Sequence, residues 1–131
     1  MIRNLKDLPV ELRRNIRGGK GEAAQQEYLA AGEMGGILAA SRITLQPGAS
    51  IGQHLHPDTE EFYLVLQGRG TGYLDGEPFP VGPGDGFLLK AGHSHGLVND
   101  SPEKLVFFAF LTPQSRDGTR EITWKAGGAS H

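Results

Sequence analysis

The 131-residue chain predicts an all-β fold, and three observations carry that prediction. Twenty glycines and eight prolines divide it into short segments, the punctuation that strands and tight turns need and a helical bundle does not. Between the breaks lie runs of strand length and strand composition, such as Glu61–Leu66 and Leu105–Leu111. The pairs Asp75-Gly76 and Pro83-Gly84 supply the chemistry of a type I′ hairpin turn and of a second tight turn. A chain this long forms one domain around one core.

Taken in order, Met1 to Leu5 reads as an edge strand. Asp7 to Leu12 reads as the start of one short helix, with Asp7 as N-cap and Pro9 in the first turn. Arg17-Gly18-Gly19-Lys20-Gly21 lacks the spacing of a phosphate loop and reads as a flexible loop. Glu22 to Ala31 has helix propensity in Ala-Ala-Gln-Gln-Glu, and Gly32 would make a reasonable helix stop. Ile43 to Leu45, running into Pro47-Gly48, reads as a strand that ends in a turn. Arg42 has the opposite parity to Ile43, and is either an anion-holding inward residue or an exposed or structural one.

Beyond Gly68, Tyr73 to Phe79 forms a hairpin about Asp75-Gly76, Val81 to Asp85 a second turn, and Gly86 to Leu89 a strand. Leu105 to Leu111 is the longest apolar run and reads as a buried closing strand. Glu121 to Trp124 is a candidate last edge strand, and Ala126 to His131 a disordered tail in which His131 is solvated. Residues 1–21 are thus an N-terminal arm and loop, and residues 35–111 the barrel core.

Charge and composition exclude several functions. A net charge of −2 leaves no electrostatic footprint for nucleic acid or an anionic membrane, so neither partner is expected. No apolar run reaches the ~18 residues of a membrane span, and the N-terminus lacks a signal-peptide layout. A cytoplasmic location is the expectation. The absence of cysteine removes disulfides and thiolate ligands, so any metal must be held by nitrogen and oxygen.

The candidate chemistry lies in two stretches that hold four of the five histidines. His54 and His56 are two apart, so on a strand both rings face one side. On the following run Glu61, Tyr63 and Val65 share one face, and Phe62, Leu64 and Leu66 the other. Two such strands can aim two imidazoles and a carboxylate at one point. Glu60 is the rival carboxylate; Glu61 is preferred because it shares a face with Tyr63 and Val65. The second stretch adds His93 and His95.

Gly48, His54, His56, Glu61 and Gly68 fit the first cupin motif, G-x5-H-x-H-x3,4-E-x6-G. Gly84, Gly92, His95 and Asn99 resemble the second, G-x5-P-x-G-x2-H-x3-N, with Lys90 in the place of its proline. Resemblance to the cupin superfamily implies an antiparallel double-stranded β-helix, a jelly-roll barrel. It also implies that Glu22–Ala31 is a strand. It places one divalent transition metal on His54, His56, Glu61 and His95. Manganese, iron, nickel, cobalt and zinc all suit three imidazoles and a carboxylate, with positions left open.

His93 and Tyr63 are the candidate catalytic residues. His93 is either a proton carrier beside the metal or a rim histidine bonded to its loop. Tyr63 is either core packing or a hydroxyl turned into the cavity. Lys90 either favours an anionic ligand at the cavity mouth or is a solvated lysine that leaves the loop before His95 less rigid. The function expected is metal-dependent chemistry on a small oxygen-rich molecule, by oxidation or isomerisation. The alternative is a non-enzymatic cupin that binds a sugar or carboxylate. The apolar outward positions Phe62, Leu64 and Leu66 point to a homodimer.

Overall fold

The computed structural model describes residues 1–114. Ten strands form among the described residues: β1 (Glu11–Arg14), β2 (Glu22–Ala30), β3 (Ala39–Leu45), β4 (Ser50–Leu55), β5 (Thr59–Gln67), β6 (Gly70–Leu74), β7 (Glu77–Val81), β8 (Gly86–Leu89), β9 (Ser94–Val98) and β10 (Leu105–Pro113). They pair antiparallel throughout. One sheet has six strands in the order β1-β2-β3-β10-β5-β8; the other has four, β4-β9-β6-β7. This is the all-β jelly roll that the sequence predicts.

Turn chemistry accounts for the hairpins. Asp75 and Gly76 have φ of 49° and 80°, the left-handed pair that a type I′ turn needs between β6 and β7. At Pro83-Gly84, Gly84 has φ 89° and the Asp85 amide donates to the Gly82 carbonyl at 3.0 Å, as in a type II turn.

The core lies between the two sheets, and strand alternation fills it. On β5, Tyr63 and Val65 are buried while Phe62 and Leu64 lie half-buried on the outer face. Leu45, Leu97, Leu105 and Phe107 are also fully buried. Burial of each large side chain contributes roughly 1.5–3 kcal/mol. On the outer face Leu66 and Phe110 remain exposed.

Two segments depart from the sequence reading. Met1 to Leu5 is not an edge strand: a side chain, not a backbone ladder, ties it down. Arg3 Nη1 donates to the Tyr28 carbonyl and to Glu33 Oε1 at 2.8 Å. Asp7 does not cap a helix. A single 3-10 turn spans Leu5–Asp7, with Asn4 capping the Lys6 amide at 3.0 Å. Leu8 then turns extended (φ −82°, ψ 131°), as a residue before proline prefers, and the chain proceeds to β1.

Glu22–Ala30 is a strand despite its helical composition, since pairing with both β1 and β3 overrides propensity. The segment after β1 is not a loose loop either. Ile16–Gly18 forms a 3-10 turn with Ile16 buried, and Gly19 packs so closely on Ser50–Gly52 that a Cβ there would meet the Ser50 oxygen at 2.3 Å. The candidate strand Glu121–Trp124 and the tail Ala126–His131 lie outside the described residues.

Candidate metal centre

Two strands of the small sheet and one of the large sheet bring the candidate ligands together. His95 on β9 pairs directly with His54 on β4. A β-bulge interrupts β4 just before: Ile51 opposes Leu97 and His54 opposes His95, so Gly52 and Gln53 together face Gly96. The extra residue resets the alternation. Ile51 and His54, three apart, therefore both point inward, and buried His56 follows on the same side. Glu61 enters from β5 across the barrel, on the face of Tyr63.

His54 Nε2 lies 2.9 Å from His56 Nε2 and 3.2 Å from His95 Nε2. Glu61 Oε1 lies 3.2 Å from His95 Nε2 and 3.7 Å from His56 Nε2. One ligand atom from each residue falls within 4.8 Å of all the others. Ligands about 2.1 Å from a divalent ion and at right angles are separated by about 3.0 Å.

The outer atoms set the tautomers. His54 Nδ1 is 2.7 Å from the Gly52 carbonyl, which can only accept, so the ring donates there and its Nε2 is bare when neutral. His56 Nδ1 is 2.7 Å from Thr59 Oγ1, a hydroxyl able to take its proton in the same way. With both Nδ1 atoms protonated, two bare nitrogens face each other 2.9 Å apart with no proton to share. A proton is a poor remedy: burial first, then the neighbouring imidazoles and the charge of Arg17, lower the His54 pKa to about 4. Burial lowers His56 as well, against the opposing pull of Glu61. A metal cation satisfies these nitrogens and the carboxylate together, so the donor set fits a divalent ion.

Tyr63 is buried and stacks among Phe87, Phe107 and His95, with ring centroids 4.6–5.3 Å away. Burial, followed by the charge and the accepted hydrogen bond of Glu61, raises its pKa well above the ordinary range. Its hydroxyl thus stays protonated beside the Glu61 carboxylate. His93 stands apart on the loop before β9: Nδ1 lies 2.6 Å from Asp75 Oδ2, and its side chain is 57% exposed. Asp75 also accepts from the Ser94 amide, which together with His93 holds its pKa below the usual carboxylate range.

Lys90 turns to Glu60, with Nζ to Oε2 at 2.6 Å. Those two side chains meet each other, whereas Glu61 joins the histidines. Asn99 is fully buried and structural: its Nδ2 donates to the carbonyls of Leu45 at 3.0 Å and Glu103 at 2.7 Å.

The ligand cluster opens on a cavity of about 190 Å3, below the roughly 300–1,000 Å3 of a drug-sized pocket. Arg42 does not line it; Arg13, Arg17, Gln25 and Ser41 do. Sequence reading missed those four. On β1 the usual pattern is inverted, with Leu12 64% exposed and Arg13 at the cavity. An apolar-in, polar-out rule assigns that strand the wrong way round. The only usable local signal was Arg13 flanking an exposed leucine.

Two antiparallel sheets closed around an inward set of imidazoles and a carboxylate define a double-stranded β-helix protein with a metal-type site. The chain belongs to the cupin family, whose domain model matches residues 41–111. It is 31% identical over 112 residues to an oxalate-binding protein of Thermotoga maritima, covering 85% of this chain and 93% of that one. It is likewise similar to a crystal structure described as a predicted oxalate decarboxylase from Thermotoga maritima (TM-score 0.84, 31% identity, 86% and 99% of the two chains). A Cupin 2 conserved barrel domain protein from Salinispora arenicola, at 24% identity and TM-score 0.67 over 89% and 90% of the chains, shares the fold. Among the described residues no helix is long and apolar enough to cross a membrane.

Proposed function

We propose that this cupin binds a small oxygen-rich carboxylate at a divalent metal held by His54, His56, Glu61 and His95, with oxalate as the leading candidate. One observation carries the reading: three imidazole Nε2 atoms and a carboxylate oxygen converge within 4.8 Å beside a cavity of about 190 Å3. When bound there, a divalent ion supplies a Lewis-acid centre with positions open to two oxygens of one ligand. The protein's own groups do the rest. The Gly52 carbonyl accepts from His54 Nδ1 and keeps its Nε2 available, Thr59 holds the His56 ring, Tyr63 lies on the same strand face as Glu61, and Ile43 and Ile51 narrow the cavity to a ligand of few atoms. The similarity to an oxalate-binding protein supports the choice of anion.

Apart from the metal-ligand set, the titratable side chains lining the cavity among the described residues are Arg13, Arg17 and Tyr63. None of these three suits a general base, because the tyrosine is held protonated and a guanidinium offers donors only. This favours binding, or metal-centred chemistry on the bound anion, over isomerisation through His and Tyr.

The test is calorimetric titration of oxalate into metal-free chain and into chain loaded in turn with manganese, iron, cobalt, nickel and zinc, followed by product analysis of the same samples. Saturable binding only in metal-loaded chain is expected, lost in His95→Ala. Products formed from oxalate would make the protein an enzyme, and their absence a binding protein. Equal binding with and without metal, or none with any of the five, would overturn the reading.

A further inference from the structure

The cavity wall that faces the ligand cluster is built from a different part of the chain. Arg13 comes from β1, Arg17 from the 3-10 turn after it, Gln25 from β2 and Ser41 from β3. Arg13 Nη1 donates to Gln25 Oε1 at 2.7 Å, and Gln25 Nε2 donates to Ser41 Oγ at 3.1 Å. Ser41 is 2% exposed, so this relay is anchored in the barrel and holds the guanidinium against the wall. The nearest carboxylate to Arg13, Glu11, is 3.9 Å away and mostly in water, where a pair is worth little. Arg17 has no carboxylate within salt-bridge distance among the described residues.

Both cations are felt inside the site. Arg13 and Arg17 line the same cavity as His54, His56, Glu61 and Tyr63. Among the described residues Glu61 is the one carboxylate lining the cavity. With a divalent ion bound, two guanidiniums leave the cavity with excess positive charge, which an anion of more than one charge compensates.

We infer that Arg13 and Arg17 form a charge-reading wall that selects doubly charged small carboxylates over singly charged ones, with Gln25 and Ser41 as positioning residues for Arg13. This rests on the functional reading above, since the metal takes one end of the anion and the wall reads the other. Guanidinium suits that role because its planar fork matches a carboxylate in two-point contact.

The experiment compares oxalate with oxamate, a monoanion of the same shape in which an amide replaces one carboxylate, by calorimetry on metal-loaded chain. The variants are Arg13→Gln, Arg17→Gln and Gln25→Ala, each checked for metal content and for its melting curve. The oxalate affinity of either arginine variant is expected to fall about tenfold or more, the scale of a lost hydrogen bond to a charged group. Oxamate affinity and metal content should stay within about twofold. Gln25→Ala should show part of the same loss, in the oxalate-to-oxamate ratio and not in metal content. An unchanged ratio in the variants would overturn the inference and leave the functional reading intact. Metal-loaded wild-type chain that binds neither anion would remove both.

Discussion

The two walls of the cavity are made in different ways. The metal wall lies within the cupin-matched residues 41–111 and uses short, inward side chains at paired mid-strand positions, His54 opposite His95. The guanidinium wall draws Arg13, Arg17 and Gln25 from residues before 41, on an edge strand, a 3-10 turn and the strand beside it. The first is fixed by backbone register and the second by long side chains tied to a relay. The histidine cluster and the arginine side chains thus come from separate segments, and substitutions in each should have separable effects.

The largest effect is expected at the metal wall. Glu61→Ala and His95→Ala should each lower metal affinity by more than about 100-fold, because removing a ligand costs more than removing its support. Elemental analysis of chain purified without chelator reads this directly. Tyr63→Phe keeps the ring and deletes the hydroxyl on Glu61, so metal affinity should fall about 10–100-fold while the fold is retained, as competition with a chromophoric chelator would show.

Gly52→Ala tests the point where the walls touch. A Cβ there would lie 2.2 Å from the Arg17 carbonyl oxygen, and the resulting overpacking should cost roughly 1–3 kcal/mol in urea denaturation. Should stability hold, the close contact between the turn and β4 would be disproved.

A smaller, pH-dependent effect belongs to the metal-free chain. The folded His54 pKa is about 4 against an ordinary 6.5, so the unfolded chain binds more protons between those values. Stability of the metal-free protein should therefore be full above about pH 6.5 and decline as pH falls towards 4. Melting temperatures across that window should slope less in His54→Asn. Smallest of all, Arg42→Gln should change oxalate affinity and stability by no more than about 0.5 kcal/mol, since that side chain lies off the cavity.

What the sequence disclosed follows the same division. The metal-type cluster was legible because H-x-H spacing, the parity of Glu61 with Tyr63 and the Asp75-Gly76 turn are local rules that the fold obeys. Their face was not: the bulge at Gly52-Gln53 shifts the alternation, so Ile51 and His54 both point inward although their sequence parity differs. Glu22–Ala30 became a strand because both its edges are paired, against its alanine and glutamine content. The segment from Asp7 misled because Pro9 forces Leu8 out of helical geometry, while the cap fell to Asn4. Arg42 lies off the cavity, in line with an exposed or structural role, whereas the Arg17 turn was misjudged as a loose loop. Which long cation meets a cavity depends on strand pairing far away in sequence.

β1 occupies the outer edge of the six-stranded sheet, and three of its four residues, Glu11, Arg13 and Arg14, are charged. An unpaired edge is a template for another chain, and charge is the usual protection against such pairing. Arg13 therefore carries part of this edge's protective charge as well as lining the cavity. Redesigning this wall for a neutral ligand by an apolar replacement would leave exposed Leu12 beside a second apolar residue on the outermost strand among the described residues. Self-association at high concentration, ahead of any change in ligand preference, is the outcome such a redesign has to guard against.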